Sequence, residues 1–320
     1  MYQTDRLTVA GASQSAAPLV IHLDTDIGDD IDDALALALL LQSSVLDLQG
    51  VSTVFGDTRR RAHLAAYLLK LYGRPDIPVA AGVGTPLQPR QRPSGVPQAA
   101  LLDEREARLN LPNLSPLSGP ELLIQNALKY SGQLTLICIG PMTNIAIALR
   151  QEPQLAKAIR QIIFMGGTVG VPFAEWNMRS DVKAAQIVLK AGIPTTMIGM
   201  NITLRCQLRE EDVAVLRDAP WPETQFLSHL IAVWQRHRPR WHPAMPYLHD
   251  PLTIIALCRP EFFRFKTMAV RLFPTGHMAS HVPGGSPVRA ATSLQAEQAR
   301  SWGMQRLLQP ASPSRYSEAT

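Results

Sequence analysis

Cysteine is scarce in this chain. Its three copies, Cys138, Cys206 and Cys258, lie far apart and are odd in number. That excludes a disulfide framework and a zinc-ligand spacing, and leaves buried thiols in a reducing compartment. Long apolar runs are also missing. The longest clean one, Ala34–Leu41, is far too short to span a bilayer, and the N-terminal "MYQTDRLTVAGASQSAAP" lacks the apolar core of a signal peptide. No internal repeat and no composition shift divides the chain. The formal net charge of +5 is scattered over arginines in "RRRAH", "PRQRP" and "RHRPRW", with no Lys/Arg stripe interleaved with aromatics. Nucleic acid is therefore not an expected partner. These absences lead to the expectation of a soluble cytoplasmic protein that uses neither membrane nor nucleic acid.

What is present is ample core material: 320 residues, 46% of them hydrophobic. Residues 1–17 and 309–320 are small and polar and read as loose tails, leaving a single domain over 18–308. Within it, short apolar runs alternate with helical patterns. The expected strands are "LVIHLD", "LDLQGVSTVFG", "IPVAAG", "LTLICIG", "QIIFMGG", "PTTMIGM", "MAVRLF" and "PVRAATS". Helical patterns cover 58–72, 120–131, 142–151, 181–191, 210–217 and 223–237. Continuous apolar strands with helices between them predict an α/β fold: an open, mainly parallel sheet with helices on both faces. Residues 88–118, Pro-rich and weakly patterned, read as a long loop over the sheet, a kind of loop that is often functional.

In such sheets ligands bind beyond the carboxyl ends of the strands. Polar motifs fall there repeatedly: "DTDIGDD" after "LVIHL", "FGD" after "VSTV", "GPMTN" after "LTLICI" and "MGG" after "QIIF". The first is extreme. Asp24, Asp26, Asp29, Asp30, Asp32 and Asp33 crowd into ten residues, and no Lys or Arg occurs between His22 and Gln42. Like charges this close raise one another's pKa unless a counter-charge is supplied. A helix N-terminus at Asp32–Ala34 favours anions but cannot neutralise six of them. A divalent cation can, and hard oxygen ligands favour Mg²⁺ or Ca²⁺ over Zn²⁺. An EF-hand is excluded, since its Gly and Glu positions hold Asp29 and Leu35. "DTDIG" also resembles the D-x-D-x-T motif of aspartyl-phosphate phosphatases, but Gly28 stands at the Thr position.

"DTDIG…DDALAL" resembles D-x-D-P-G-x-D-D-A-x-A, the N-terminal signature of the inosine–uridine-preferring nucleoside hydrolases. The likeness continues in order through "VSTVFGD", "IPVAAG", "CIGPMTNIAIAL", "IIFMGG", "AEWN" and "HDP", spanning about residues 18–310. It implies Ca²⁺-dependent hydrolysis of the N-glycosidic bond of ribonucleosides by a homodimer or homotetramer. Asp26 matches a metal ligand that also serves as general base, Asp33 and Asp250 match further metal ligands, and Ile139 matches a backbone carbonyl donated to the ion. Asp32 matches a ligand of the ribose hydroxyls. Glu175 and Asn177 match residues that hydrogen-bond the sugar, with Trp176 replacing a Phe between them. His249 matches the residue that helps protonate the leaving base. Trp241, His242 and Tyr247 are candidates to line the base pocket.

The sequence also departs from the family pattern. A gapless fit puts Ile31 where a metal Asp belongs. A two-residue insertion after Gly28 restores "DDALA" at 32–36; without it, Asp29 or Asp30 takes a role otherwise matched by Asp32 or Asp33. Asp57 stands where many members have Asn beside the substrate, and is expected at the sugar. The family's H-G-x-x-G loop is degraded to "RPSGVPQ". The segment before "AEWN" is shortened to "TVGVPF", losing an Asn for the 5′ hydroxyl. Two other functions compete: a catalytically silent member that binds a ribosyl ligand or a protein partner, and a metal-dependent phosphatase.

Overall fold

Nine strands form one sheet in the order β3-β2-β1-β4-β5-β6-β9-β7-β8. The structure, a computed structural model, describes residues 17–89, 95–102, 110–171, 173–240 and 242–311. The strands are β1 (Leu19–Thr25), β2 (Leu46–Thr53), β3 (Val79–Ala81), β4 (Leu134–Cys138), β5 (Ile159–Met165), β6 (Thr195–Ile198), β7 (Phe263–Leu272), β8 (Met278–Ser280) and β9 (Ser286–Leu294). Strands β1–β6 and β9 run parallel, and β7 and β8 add antiparallel pairings at one edge. The all-buried runs of β4 and β6 show why these segments lack polar alternation: helices cover both faces of the sheet.

One face carries α1 (Asp32–Leu41), α2 (Thr58–Leu71), α10 (Pro222–His237), α11 (Pro251–Cys258) and α12 (Ala296–Leu307). The other carries α3 (Gly119–Lys129), α4 (Thr143–Gln151) and α7 (Val182–Leu189). Shorter helices α5 (Leu155–Ala158), α6 (Trp176–Ser180), α8 (Met200–Thr203) and α9 (Glu210–Asp218) fill the connections. All eight expected strands are present; β8 was not anticipated. Helices α5, α6, α8, α11 and α12 were not expected either. The run "PLTIIALC" of α11 is apolar on every side, so it has no periodicity to read. The body also extends past the expected boundary at 308. Gln42 donates through Nε2 to the Gln309 carbonyl at 2.7 Å, and the Ala311 amide donates to Glu223 Oε1 at 2.6 Å. No helix among the described residues is long and apolar enough to cross a membrane.

The chain lays β2 and β3 on one side of β1 and then crosses to place β4 on the other. This reversal opens a crevice beyond the carboxyl ends of β1 and β4, the usual ligand position in open parallel sheets. Helix α1 starts at that crevice and is held without slack. Residues 32–40 are all buried, packed among β2, α2, α11 and α12. Leu37, wholly inaccessible, lies at its centre. Leu37→Ala is expected to lower unfolding free energy by about 2–5 kcal/mol, seen as a lower urea midpoint at unchanged slope.

Candidate active site

The six aspartates do not share one pocket; the fold separates them. Asp24, still in β1, lies inside the sheet. Its carboxylate accepts from Ser52 Oγ and, at 2.7 Å, from Asn144 Nδ2. Asn144 also donates to the Thr53 carbonyl and accepts from the Val83 amide, so it links β1, β2, α4 and the strand-end loop at Val83. Burial pushes Asp24 up to about 7. This placement removes the phosphatase reading, because the motif's first Asp would have to be an accessible nucleophile and Asp24 is fully buried.

Asp29 and Asp30 occupy the turn between β1 and α1. Asp29 is paired with Arg61 of α2, whose Nη2 lies 3.0 Å from Asp29 Oδ2. Asp30 Oδ1 accepts from the Ile31 amide at 2.7 Å. Both precede α1, whose first turn holds Asp32 and Asp33. Arg61 corrects the sequence argument. The segment between His22 and Gln42 has no basic residue, and its counter-charge comes from the next helix. Its signal lay in the helical period: Arg61 falls on the buried stripe with Leu64, Ala65 and Leu68, while Arg59 is exposed.

Asp32, Asp33 and Asp250 form the centre. Each offers one carboxylate oxygen, and these oxygens lie within 4.8 Å of one another. Asp250 is the N-cap of α11, and its amide donates to Asp32 Oδ2 at 3.3 Å. Thr25 Oγ1 donates to Asp33 Oδ1 at 2.5 Å and accepts from the Ile27 amide. Asp26, just beyond β1, is only 8% exposed and close enough that its charge raises both Asp32 and Asp33. Burial first, and mutual repulsion second, lift Asp32, Asp33 and Asp250 well above the ordinary carboxylate range. Burial also raises Asp26, against the opposing pull of Arg61. Four buried carboxylates with hard oxygen donors fit a divalent cation, which would remove the repulsion that their hydrogen bonds do not offset.

Ile139 follows β4 and precedes Gly140, which lies against Asp26, and its carbonyl faces Asn177. It accepts from Asn177 Nδ2 at 2.9 Å, leaving a second lone pair. Asn177 also donates to the Met165 carbonyl, so its amide nitrogen braces β4 and β5. Glu175 is the N-cap of α6. Its carboxylate accepts from the amides of Asn177, Gly167 and Met178 at 2.8–3.1 Å, and burial raises its pKa despite them. Trp176 is 39% exposed and meets Phe55 edge-on at 6.3 Å. Asp57, expected at the sugar, is exposed and caps α2 by accepting from the Arg60 amide at 3.1 Å.

His249 stands next to Asp250. Its Nδ1 is 2.6 Å from Thr203 Oγ1 and its ring is 5.4 Å from that of Tyr247. Burial, with a smaller effect of His242, pushes it down to about 4. His242 lies 6.5 Å from the Trp234 ring. Trp241 lies outside the described residues. Sequence reasoning missed Arg61, Thr25, Asn144 and Thr203, the residues that hold the others in place.

An open α/β sheet whose switch-point crevice holds buried carboxylates beside a neutral histidine defines a metal-dependent hydrolase. Similarity to known proteins narrows the class. The sequence model of the inosine-uridine preferring nucleoside hydrolase family matches residues 21–301, and the chain belongs to that family. It is similar to uridine nucleosidase 1 of Arabidopsis thaliana, at 28% identity over 90% of this chain and 93% of the relative. It is also similar to the pyrimidine-specific ribonucleoside hydrolase RihA of Shewanella woodyi, at 36% identity over 76% of this chain and 80% of the relative. Among solved structures, a plant nucleoside hydrolase, PpNRh1, superposes with a TM-score of 0.80 at 28% identity, covering 92% of this chain and all of that one. The protein is thus an enzyme that hydrolyses the N-glycosidic bond of ribonucleosides.

Gly140, beside Ile139, has no room for a side chain. A Cβ there would meet Val54 Cγ1 at 2.7 Å and Asp26 Oδ1 at 2.9 Å. Gly140→Ala is expected to destabilise by about 1–3 kcal/mol and to lower kcat far more than a distant core variant of equal stability. Melting curves and initial rates measured on both variants check this.

Proposed function

We propose that the enzyme is Ca²⁺-dependent and acts best on pyrimidine ribonucleosides, uridine foremost. The observation that carries the metal half is the convergence of the Asp32, Asp33 and Asp250 carboxylates within 4.8 Å, with the buried Asp26 close enough for its charge to act on all three. An all-oxygen, carboxylate-rich set in a flexible number suits Ca²⁺. The base preference is supported by the two relatives named for uridine and pyrimidine nucleosides. A homodimer or homotetramer in the cytoplasm completes the reading, in keeping with three free cysteines.

When bound, the cation would neutralise the carboxylates and supply Lewis acidity toward a water and the ribose diol. Asp26 takes the proton of the attacking water as its oxygen bonds to the anomeric carbon and the bond to the base nitrogen breaks. Asp32 accepts from a ribose hydroxyl, and Asn177 adds its remaining polar capacity to the sugar. Trp176, backed by Phe55, covers the ring and keeps bulk water from the developing oxocarbenium ion. Glu175 acts through α6: by holding three amides it fixes the positions of Trp176 and Asn177. In the tautomer that accepts the Thr203 hydroxyl at Nδ1, His249 carries its proton on Nε2 and offers it as a hydrogen bond to the departing base.

The metal and diol assignments are tested together. Added Ca²⁺ should raise the melting temperature and EDTA should reverse it, since a ligand that binds only the folded state stabilises it. Asp33→Asn should abolish both that shift and turnover. Uridine should exceed 2′-deoxyuridine in kcat/KM by roughly a thousandfold, because a site built around a hydroxyl is left unpaired without it. Equal rates on the two nucleosides would overturn the diol model.

His249 gives a separate pH expectation. A histidine ordinarily titrates near 6.5; here burial places the change near 4, so the ring is already neutral throughout the neutral range. Protonated His249 is thus not the form present at work, and kcat/KM should show no descending limb near pH 6.5. His249→Ala should slow uridine more than a nitrophenyl riboside, whose leaving group needs no hydrogen bond.

A further inference from the structure

The carbonyls of the turn between β1 and α1 are held from outside it. Five consecutive carbonyls, Asp26 to Asp30, receive donors from two buried residues. Arg61 Nη1 donates to the carbonyls of Asp26 and, at 2.9 Å, of Ile27. Gln98 donates from its amide to Gly28 at 3.2 Å, and from Nε2 to Asp29 at 3.2 Å and Asp30 at 2.6 Å. Arg61 reaches further. Its Nε donates to the Phe55 carbonyl at 2.7 Å. Phe55 has a φ of +67°, a conformation a bulky residue adopts only when its surroundings impose it, and its ring supports Trp176. One guanidinium thus ties the loop bearing Asp26 to the loop bearing the sugar wall.

A buried cation beside a cation site is electrostatically costly. Asp29 addresses this: both its oxygens take the fork of Arg61, at 3.1 and 3.0 Å. Arg61 is inaccessible, whereas the Asp29 side chain is 22% exposed, so the pair places its positive end inward with the negative charge directly against it. Bidentate pairing fixes the plane of the guanidinium and therefore the direction of its remaining donors.

We infer that Arg61 and Asp29 are a positioning pair: Arg61 sets the placement of Asp26 and Phe55, and Asp29 cancels the charge that Arg61 would otherwise oppose to the bound cation. This rests on the proposed role of Asp26 toward metal and water. Neither residue touches substrate. Both act through backbone and field, as outer residues around metal ligands do, where substitution commonly costs about 10–100-fold in metal affinity or activity.

The test compares Asp29→Asn, Asp29→Glu, Arg61→Lys and Asp26→Asn in the full chain. Ca²⁺ titration calorimetry on chelator-treated protein, melting temperature, and kcat and KM for uridine at saturating Ca²⁺ are measured for each. Asp29→Asn should weaken Ca²⁺ binding about tenfold or more, with Asp29→Glu recovering part of it. Arg61→Lys, whose single ammonium cannot serve Asp26, Ile27 and Phe55 together, should lower kcat about 10–100-fold with KM within about threefold. Lower melting temperatures with Ca²⁺ affinity and kcat unchanged would make the pair merely structural and overturn the inference. Should Asp29→Asn alone fold, its Ca²⁺ affinity decides. Asp26→Asn separates the two readings. Its full activity would refute the site assignment itself; its inactivity beside wild-type behaviour of the other variants would refute only the positioning pair.

Discussion

Carboxylates buried together repel, and in this protein four of them meet in a crevice with little water to screen them. That repulsion is the constraint around which the structure is arranged. Asp24 is taken into the sheet and satisfied by Ser52 and Asn144. Asp29 is matched to Arg61, and Asp30 is turned onto the amide of Ile31. What remains is the group Asp32, Asp33 and Asp250, with Asp26 beside it, a set that could hold a metal ion. The same crowding on the surface would carry no such meaning, because exposed charges are screened and hydrated.

Two helices start at this point. Asp32 and Asp33 lie in the first turn of α1, and Asp250 caps α11, which packs against α1. Both helix N-termini present the positive end of their dipole to the cluster, which eases the burial of negative charge without supplying a full counter-ion. The side formed by Glu175, Trp176 and Asn177 is assembled differently. Glu175 and Asn177 spend much of their hydrogen-bonding on the backbone around them, and the apolar wall of Trp176 and Phe55 depends on a strained residue held by Arg61 and Val83. The carboxylate side of the crevice is therefore built from charge, and the Trp176 side from packing and braced loops.

The amino-acid sequence by itself determined the class of fold and the chemistry of the centre. Continuous apolar runs spaced by helical patterns specify a covered parallel sheet, and an aspartate cluster placed after the first strand marks a place at its edge that could take a metal ion. Both are local properties of composition and period, so they survive without coordinates. Asp32 and Asp33 at a helix start, and Asp250 after His249, were legible on that basis together with a family resemblance. The tertiary structure decided how the acids were divided. That Asp57 caps α2 at the surface, that Glu175 serves three amides, and that Arg61 balances Asp29 from 32 residues away all depend on how elements distant in sequence come together. Electrostatic pairing and hydrogen bonding act over a few ångströms of space and are indifferent to chain separation, so neighbours along the sequence can show that Arg61 is buried but not which acid it meets.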